Sequence, residues 1–147
     1  MKIALGADHG GFALKEKLKD FLENRGDEVL DFGTHAEDSC DYPIFGFAVA
    51  EAVSNGEAER GVLVCTTGAG MAIVANKVKG IRAAVCHDAK TAQASRAHND
   101  ANIITFGQKL IGEEEARGIL DLWLKTAFEG GRHARRVGEI EDYEKKT

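Results

Sequence analysis

Cys65 stands where an apolar run stops and a glycine-rich turn begins, in the stretch "VLVCTTGAGMA" (62–72). Gly68 and Gly70 free the backbone to turn its N–H groups inward, just ahead of a segment with helical character. Such a turn binds an anion, whether phosphate, carboxylate or an oxyanion that develops during a reaction. Donors of that kind also favour a neighbouring cysteine as thiolate, the form that acts as nucleophile or base. The plainer alternative is a buried cysteine that simply closes a strand. The stretch by itself supports both.

Spacing removes two sharper chemistries. A low-molecular-weight tyrosine phosphatase requires C-x₅-R, so that an arginine forks the phosphate, and Met71 occupies that position. A receiver domain requires a phosphoacceptor aspartate at the end of this strand, where Cys65 stands, although Asp8 and Lys109 would fit the rest of its pattern.

Three further segments carry chemistry. "GADHGG" (6–11) puts Asp8 and His9 on one turn, as an acid and an imidazole facing one crevice or as a helix cap beside a solvated histidine. "SRAHNDAN" (95–102) closes a helix with His98, followed by Asn99 and Asp100. A histidine at a helix C-terminus gains from the dipole as imidazolium and can act as an acid, while a plain C-terminal turn explains the same residues. "EGGRHARRV" (129–137) is the one concentrated positive charge in an acidic chain. Arg132 and Arg136 are four apart and share a face in a helical turn, where they could fork one phosphate or form a solvated patch.

Elements must position these residues. Short apolar runs alternate with amphipathic stretches, predicting strands at 2–7, 28–33, 61–65, 81–87 and 102–107. Helices follow: one over "FALKEKLKDFLENRG", one opened by Pro43, one after Gly70, one capped by Asp88, and a long one through Ala116, Ile119, Leu120, Trp123 and Ala127. A short terminal helix is expected over 137–147. Alternation of this kind implies an α/β chain, a five-stranded parallel sheet covered on both faces in one domain (1–147). Ligands of such sheets sit beyond the carboxyl ends of the strands. That rule points to Asp8 and His9, to Cys65 through Gly70, to His87 and Asp88, and to Lys109.

Bulk properties exclude other classes. A net charge of −5 and a pI near 5.5 argue against nucleic acid and a membrane surface as partners. Three cysteines without a C-x-x-C pair argue against a disulfide framework or structural zinc. The five histidines form no H-x-x-x-H or H-E-x-x-H pair, so no metal is expected, with Asp8, His9 and His87 the one arrangement left open. The N-terminal apolar run is too short for a signal peptide, and a cytoplasmic protein is expected.

Taken in order, "GADHGG", "DYP", "CTTGAG…ANK", "SRAHNDAN…FG" and "EGGRHARRV" resemble ribose-5-phosphate isomerase type B over nearly the whole chain. Related members act on galactose 6-phosphate or allose 6-phosphate. The resemblance implies a Rossmann-like α/β/α sandwich, no cofactor, a sugar-phosphate substrate, and a homodimer or homotetramer whose site is shared between subunits. It matches Cys65 to the base moving a proton between C2 and C1, and the backbone of Thr67, Gly68, Ala69 and Gly70 to the hole that holds the enediolate. It matches His98 to the ring-opening group with Asp8 assisting, and Asn99 to a substrate contact, with His98 and Asn99 expected from the other subunit. His9, Arg132 and Arg136 match phosphate ligands, and Tyr42 the pocket wall. Three departures stand out. Met71 replaces the glutamate base of one branch, which leaves the chain with the cysteine branch. Thr66 stands where glycine is expected in some members, and Lys109 where some carry a phosphate-contacting arginine. These two bear on substrate size, so a six-carbon or four-carbon sugar phosphate is the alternative substrate. A non-catalytic sugar-phosphate-binding module is the other alternative.

Overall fold

A computed structural model describes all residues, 1–147. In chain order the elements are β1 (Lys2–Ala7), α1 (Phe12–Asn24), β2 (Glu28–Asp31), α2 (Tyr42–Ser54), β3 (Arg60–Cys65), α3 (Ala69–Ala75), β4 (Ala83–Val85), α4 (Ala89–Ala97), β5 (Ile103–Gly107), α5 (Glu113–Lys125) and α6 (Arg132–Glu144). The five strands form one sheet in the order β2-β1-β3-β5-β4, with every pairing parallel. The chain leaves β1 toward β2 and returns to the other side of β1 as β3. The crevice of this open sheet therefore lies between the carboxyl ends of β1 and β3.

Period-two alternation splits the core into two layers. Ile3, Leu5, Val62, Val64, Ile104 and Phe106 face one side, where Leu14, Leu18 and Leu22 of α1 and Ile119, Leu120 and Trp123 of α5 cover them. Ala4, Leu63, Cys65 and Ile103 face the other, under Val49 and Ala50 of α2 and Met71 and Ala75 of α3. The strands are apolar throughout because both faces are buried. One ion pair ties a helix to the sheet edge: the fully buried Lys15 of α1 donates to both carboxylate oxygens of Asp31 on β2, at 2.8 and 2.9 Å. Burial works against the Asp31 charge. Bonds from Lys15, the Gly33 amide and Lys19 outweigh it and hold the carboxyl below its usual range. No helix is long and apolar enough to cross a membrane.

The expected elements are all present, and four of the changed boundaries bear on the site or the sheet edge. The last helix begins at Arg132, five residues before 137, so the basic cluster lies on its first turns. β4 is only Ala83–Val85, because side-chain amides occupy the backbone beside it: Arg82 N–H donates to Asn102 Oδ1 and Ala83 N–H to Asn76 Oδ1. β2 stops at Asp31, where its carboxylate takes the Gly33 amide. α3 begins at Ala69, so Gly70 lies inside its first turn.

Candidate active site

Cys65 ends β3 with its side chain toward α2 and α3, and it is 5% exposed. Gly68 takes a left-handed backbone (φ 83°, ψ −20°), and its N–H turns back to donate to Cys65 Sγ at 3.1 Å. Only glycine suits this position, since a Cβ would also meet the Phe106 carbonyl carbon at 3.1 Å. The turn is fixed from behind. Thr105 Oγ1 donates to the Gly68 carbonyl, and the amides of Gln108 and Lys109 donate to the carbonyls of Cys65 and Thr66. Gly107 passes so close to Thr67 that a Cβ would lie 2.5 Å from its carbonyl carbon. The sulfur thus sits on an over-determined loop.

A small cavity of about 180 Å³ opens over it, lined by Asp8, Tyr42, Cys65, Thr66, Thr67 and Gly70. Asp8 is 7% exposed, and its Oδ1 has no hydrogen-bond partner in the protein. A buried carboxylate oxygen without a partner is suited to a ligand hydroxyl. Asp8 is not the cap of α1, a place taken by Gly11, so the capping alternative fails. Gly70 has a role other than backbone freedom: a Cβ there would meet the Tyr42 ring at 3.0 Å, so its bareness seats the ring as a wall. The amides of Gly70 and Met71, in the first turn of α3, have no intrahelical partner. Met71 itself is buried beneath the loop.

His9 is exposed beside Asp8, and its Nδ1 accepts the Cys40 amide at 3.1 Å, which leaves Nε2 as the N–H that can donate outward. Lys109 is exposed and leaves the same edge of the sheet after β5. His87, near this edge, is occupied: its Nε2 accepts the Gly107 amide at 2.8 Å. Cys86 is inert by contrast, with burial pushing its thiol up to about 11.

The remaining expected residues gather at the opposite edge. α4 runs back against the strands, so its C-terminal cap His98 and the following Asn99 lie where the strands begin. The turn is locked there by Asn102, whose N–H donates to the Arg82 carbonyl and whose carbonyl accepts the Gly61 amide. Glu129 N–H donates to the Ala97 carbonyl, which brings the start of α6 beside His98. The rings of His98 and His133 stack at 4.3 Å and 12°. Arg132 and Arg136, on the same first turns of α6, are exposed. His98 and Asn99 line separate cavities, neither shared with Cys65. At about 3.3 Å per residue, a strand of the length of β3 sets roughly 20 Å between the two edges. Within one chain, then, the structure joins Asp8, Tyr42, Cys65, Thr66, Thr67 and Gly70 and keeps them apart from His98, Asn99, Arg132 and Arg136.

His98, Glu129 and His133 are the one trio whose ligand atoms lie within 4.8 Å of one another. An imidazole offers its lone pair in the ring plane, and two stacked rings cannot both aim at one ion. The trio is ill shaped for a metal.

The chain is similar to known proteins over nearly its whole length. The ribose/galactose isomerase family model matches residues 3–140. Ribose-5-phosphate isomerase B of Escherichia coli is 48% identical, covering 99% of this chain and 97% of that protein. D-erythrulose-4-phosphate isomerase of Pectobacterium atrosepticum is 43% identical over 98% and 95%. The solved structure of Clostridium thermocellum ribose-5-phosphate isomerase B superimposes with a TM-score of 0.98 at 57% identity, covering 99% of both chains.

Proposed function

The chain belongs to the ribose/galactose isomerase family and is an aldose–ketose isomerase of sugar phosphates, and from that premise we propose that it interconverts ribose 5-phosphate and ribulose 5-phosphate through a cis-enediolate. The observation that carries this reading is the Cys65 sulfur, held by the Gly68 amide in a cavity it shares with the unpartnered Asp8 oxygen.

The chemistry runs in three stages. His98, with Asp8 assisting, moves the proton that opens the furanose to the aldehyde. Cys65 as thiolate takes the C2 hydrogen as a proton, and the C2–H electron pair shifts into a C1=C2 bond while the carbonyl electrons move onto O1. Amides of the 67–70 loop, with Thr67 at the mouth, stabilise that charge. Cys65 returns the proton at C1 while the O2 proton passes to O1, so that C2=O2 forms, O1 becomes a hydroxyl and the ketose results. His9, Lys109, Arg132 and Arg136 hold the phosphate, and Asn99 contacts the sugar. Binding energy from the non-reacting phosphate orients the reacting carbons.

This division of labour needs both edges of the sheet at one sugar. A second copy related by a two-fold axis meets the need: the Cys65 edge of each copy receives the His98 edge of the other, and two composite sites form. The exposed apolar side chains of Ile44 and Phe47 on α2 and Ile73 on α3, beside the Tyr42 wall, support such a contact.

The deciding assay follows ribulose 5-phosphate formation by purified protein. Wild type is expected to be active and Cys65→Ala to lose about 10³-fold or more in kcat, within the range of a general base. An inactive wild type, or an undiminished variant, removes the reading. The Pectobacterium relative supports a second one, a four-carbon substrate on the same machinery. Comparing kcat/KM across phosphorylated aldoses of four, five and six carbons separates the two.

A further inference from the structure

We propose that His133 and Glu129 are positioning residues for sugar-ring opening: they clamp the His98 imidazole in one plane and supply the carboxylate that receives its charge. The inference rests on the role given to His98 above and extends it to residues that neither bind nor touch the reacting carbons.

His98 is the C-terminal cap of α4, and its side chain is 47% exposed. An exposed imidazole at a helix end turns freely about two torsions, whereas proton transfer requires a ring held within fractions of an ångström. The clamp supplies what the helix end lacks. His133 is buried, on the first turn of α6, and lies face to face with His98, 4.3 Å between centroids and 12° between planes. Glu129 Oε1 lies 3.9 Å from His98 Nε2 and 3.6 Å from His133 Nε2, so one carboxylate oxygen serves both rings. The Glu129 amide is tied to the Ala97 carbonyl at 3.0 Å, which fixes that carboxylate relative to the end of α4. Gly130 and Gly131, with φ of 72° and 57°, let the chain turn between Glu129 and His133 so that both face His98.

Electrostatics assigns the charge to one ring. Burial first, then the charges of His98 and Arg132, hold His133 below the ordinary imidazole range, against the pull of Glu129. At neutral pH His133 is an uncharged platform, and the Glu129 carboxylate is left to pair with His98 when that ring carries a proton. Arg132 and Arg136 add to the forces that disfavour a charge on His133.

The test is a set of variants assayed on ribose 5-phosphate. His133→Ala is expected to lower kcat about tenfold with little change in KM, part of the 10²–10⁴-fold a general acid–base group supplies. His133→Phe keeps a flat ring and is expected to restore most of the loss, whereas His133→Leu, filling similar space, is not. In a His98→Ala background the same His133→Ala change is expected to have no further effect. Glu129→Gln, at an exposed site where folding is not at stake, is expected to lower kcat about threefold, a fraction of the same range. Four results would overturn the proposal: full kcat in His133→Ala, equal rescue by Phe and Leu, a full-sized His133→Ala effect without His98, or an unchanged Glu129→Gln. A fully active His98→Ala would instead defeat the reading of His98 itself.

Discussion

The two edges of the sheet are built by opposite means. At the carboxyl edge, Cys65 and Asp8 are almost fully buried, and the Thr105 hydroxyl with the Gln108 and Lys109 amides holds the backbone of the loop that carries the sulfur. At the amino edge, His98, Asn99, Arg132 and Arg136 are exposed, and side chains do the positioning: a ring stack, a shared carboxylate and an Arg96–Asp100 bond of 2.8 Å beneath the turn. Proton abstraction from carbon needs a fixed base beside fixed donors, and a rigid turn provides them. Ring opening and phosphate capture need groups that reach into a cavity, and exposed side chains provide those. The difference teaches that one copy carries two unlike residue groups, which the proposed function reads as the two halves of a shared site.

Variants can break this contrast, and the largest effect belongs to the buried edge. Cys65→Ala removes the base, whereas Cys65→Ser keeps the size and loses the thiolate; both are expected at or below about 10⁻³ of wild-type kcat. His98→Ala comes next, with about a 10²-fold loss on ribose 5-phosphate. On a four-carbon aldose 4-phosphate, whose ring-closing C4 oxygen carries the phosphate, that loss is expected to shrink markedly. An equal loss on both substrates would refute ring opening as the task of His98. Gly68→Ala is expected to lower kcat about tenfold and to cost about 1–3 kcal/mol of stability, because φ of 83° and the Phe106 carbonyl both oppose a Cβ.

The smallest expected effect on rate, and the clearest on stability, lies away from both half-sites. Asp31→Asn leaves the buried Lys15 charge with only the exposed Glu16 carboxylate at 2.9 Å and is expected to cost about 3 kcal/mol in denaturant unfolding while kcat stays unchanged. In wild type the Asp31 carboxyl is lower in the fold than its unfolded value of about 3.9. Its contribution is therefore complete above that pH and is lost as pH falls through the lower folded value. A pH–stability curve of Asp31→Asn lacking this acid limb checks the assignment.

Much of the carboxyl edge was legible in the sequence, because apolar runs stopping at glycine-rich turns mark strand ends, and ligands of parallel sheets gather there. The amino edge was legible only as separate motifs. Nothing in "EGGRHARRV" has helical apolar periodicity before Val137, so α6 appeared five residues too short. The His98–His133 stack joins residues 35 positions apart through a turn that left-handed glycines permit, and no local pattern announces it. Gly70 was read as freeing the backbone to turn its N–H groups inward, and the structure adds that its bareness leaves room for the Tyr42 ring, a packing fact that spacing does not carry. β4 was overextended at its start because the backbone there is bonded by the side chains of Asn76 and Asn102, which a hydrophobic pattern does not register.

The most direct test mixes the two halves. Cys65→Ala and His98→Ala proteins, each strongly impaired alone, are combined in equal amounts and allowed to exchange subunits. Half of the resulting pairs are then mixed, and each mixed pair has one intact composite site, so activity is expected to return to about a quarter of wild type. Complete subunit exchange with no recovery of activity would contradict the account, because it would mean that a single copy must hold both groups at one sugar.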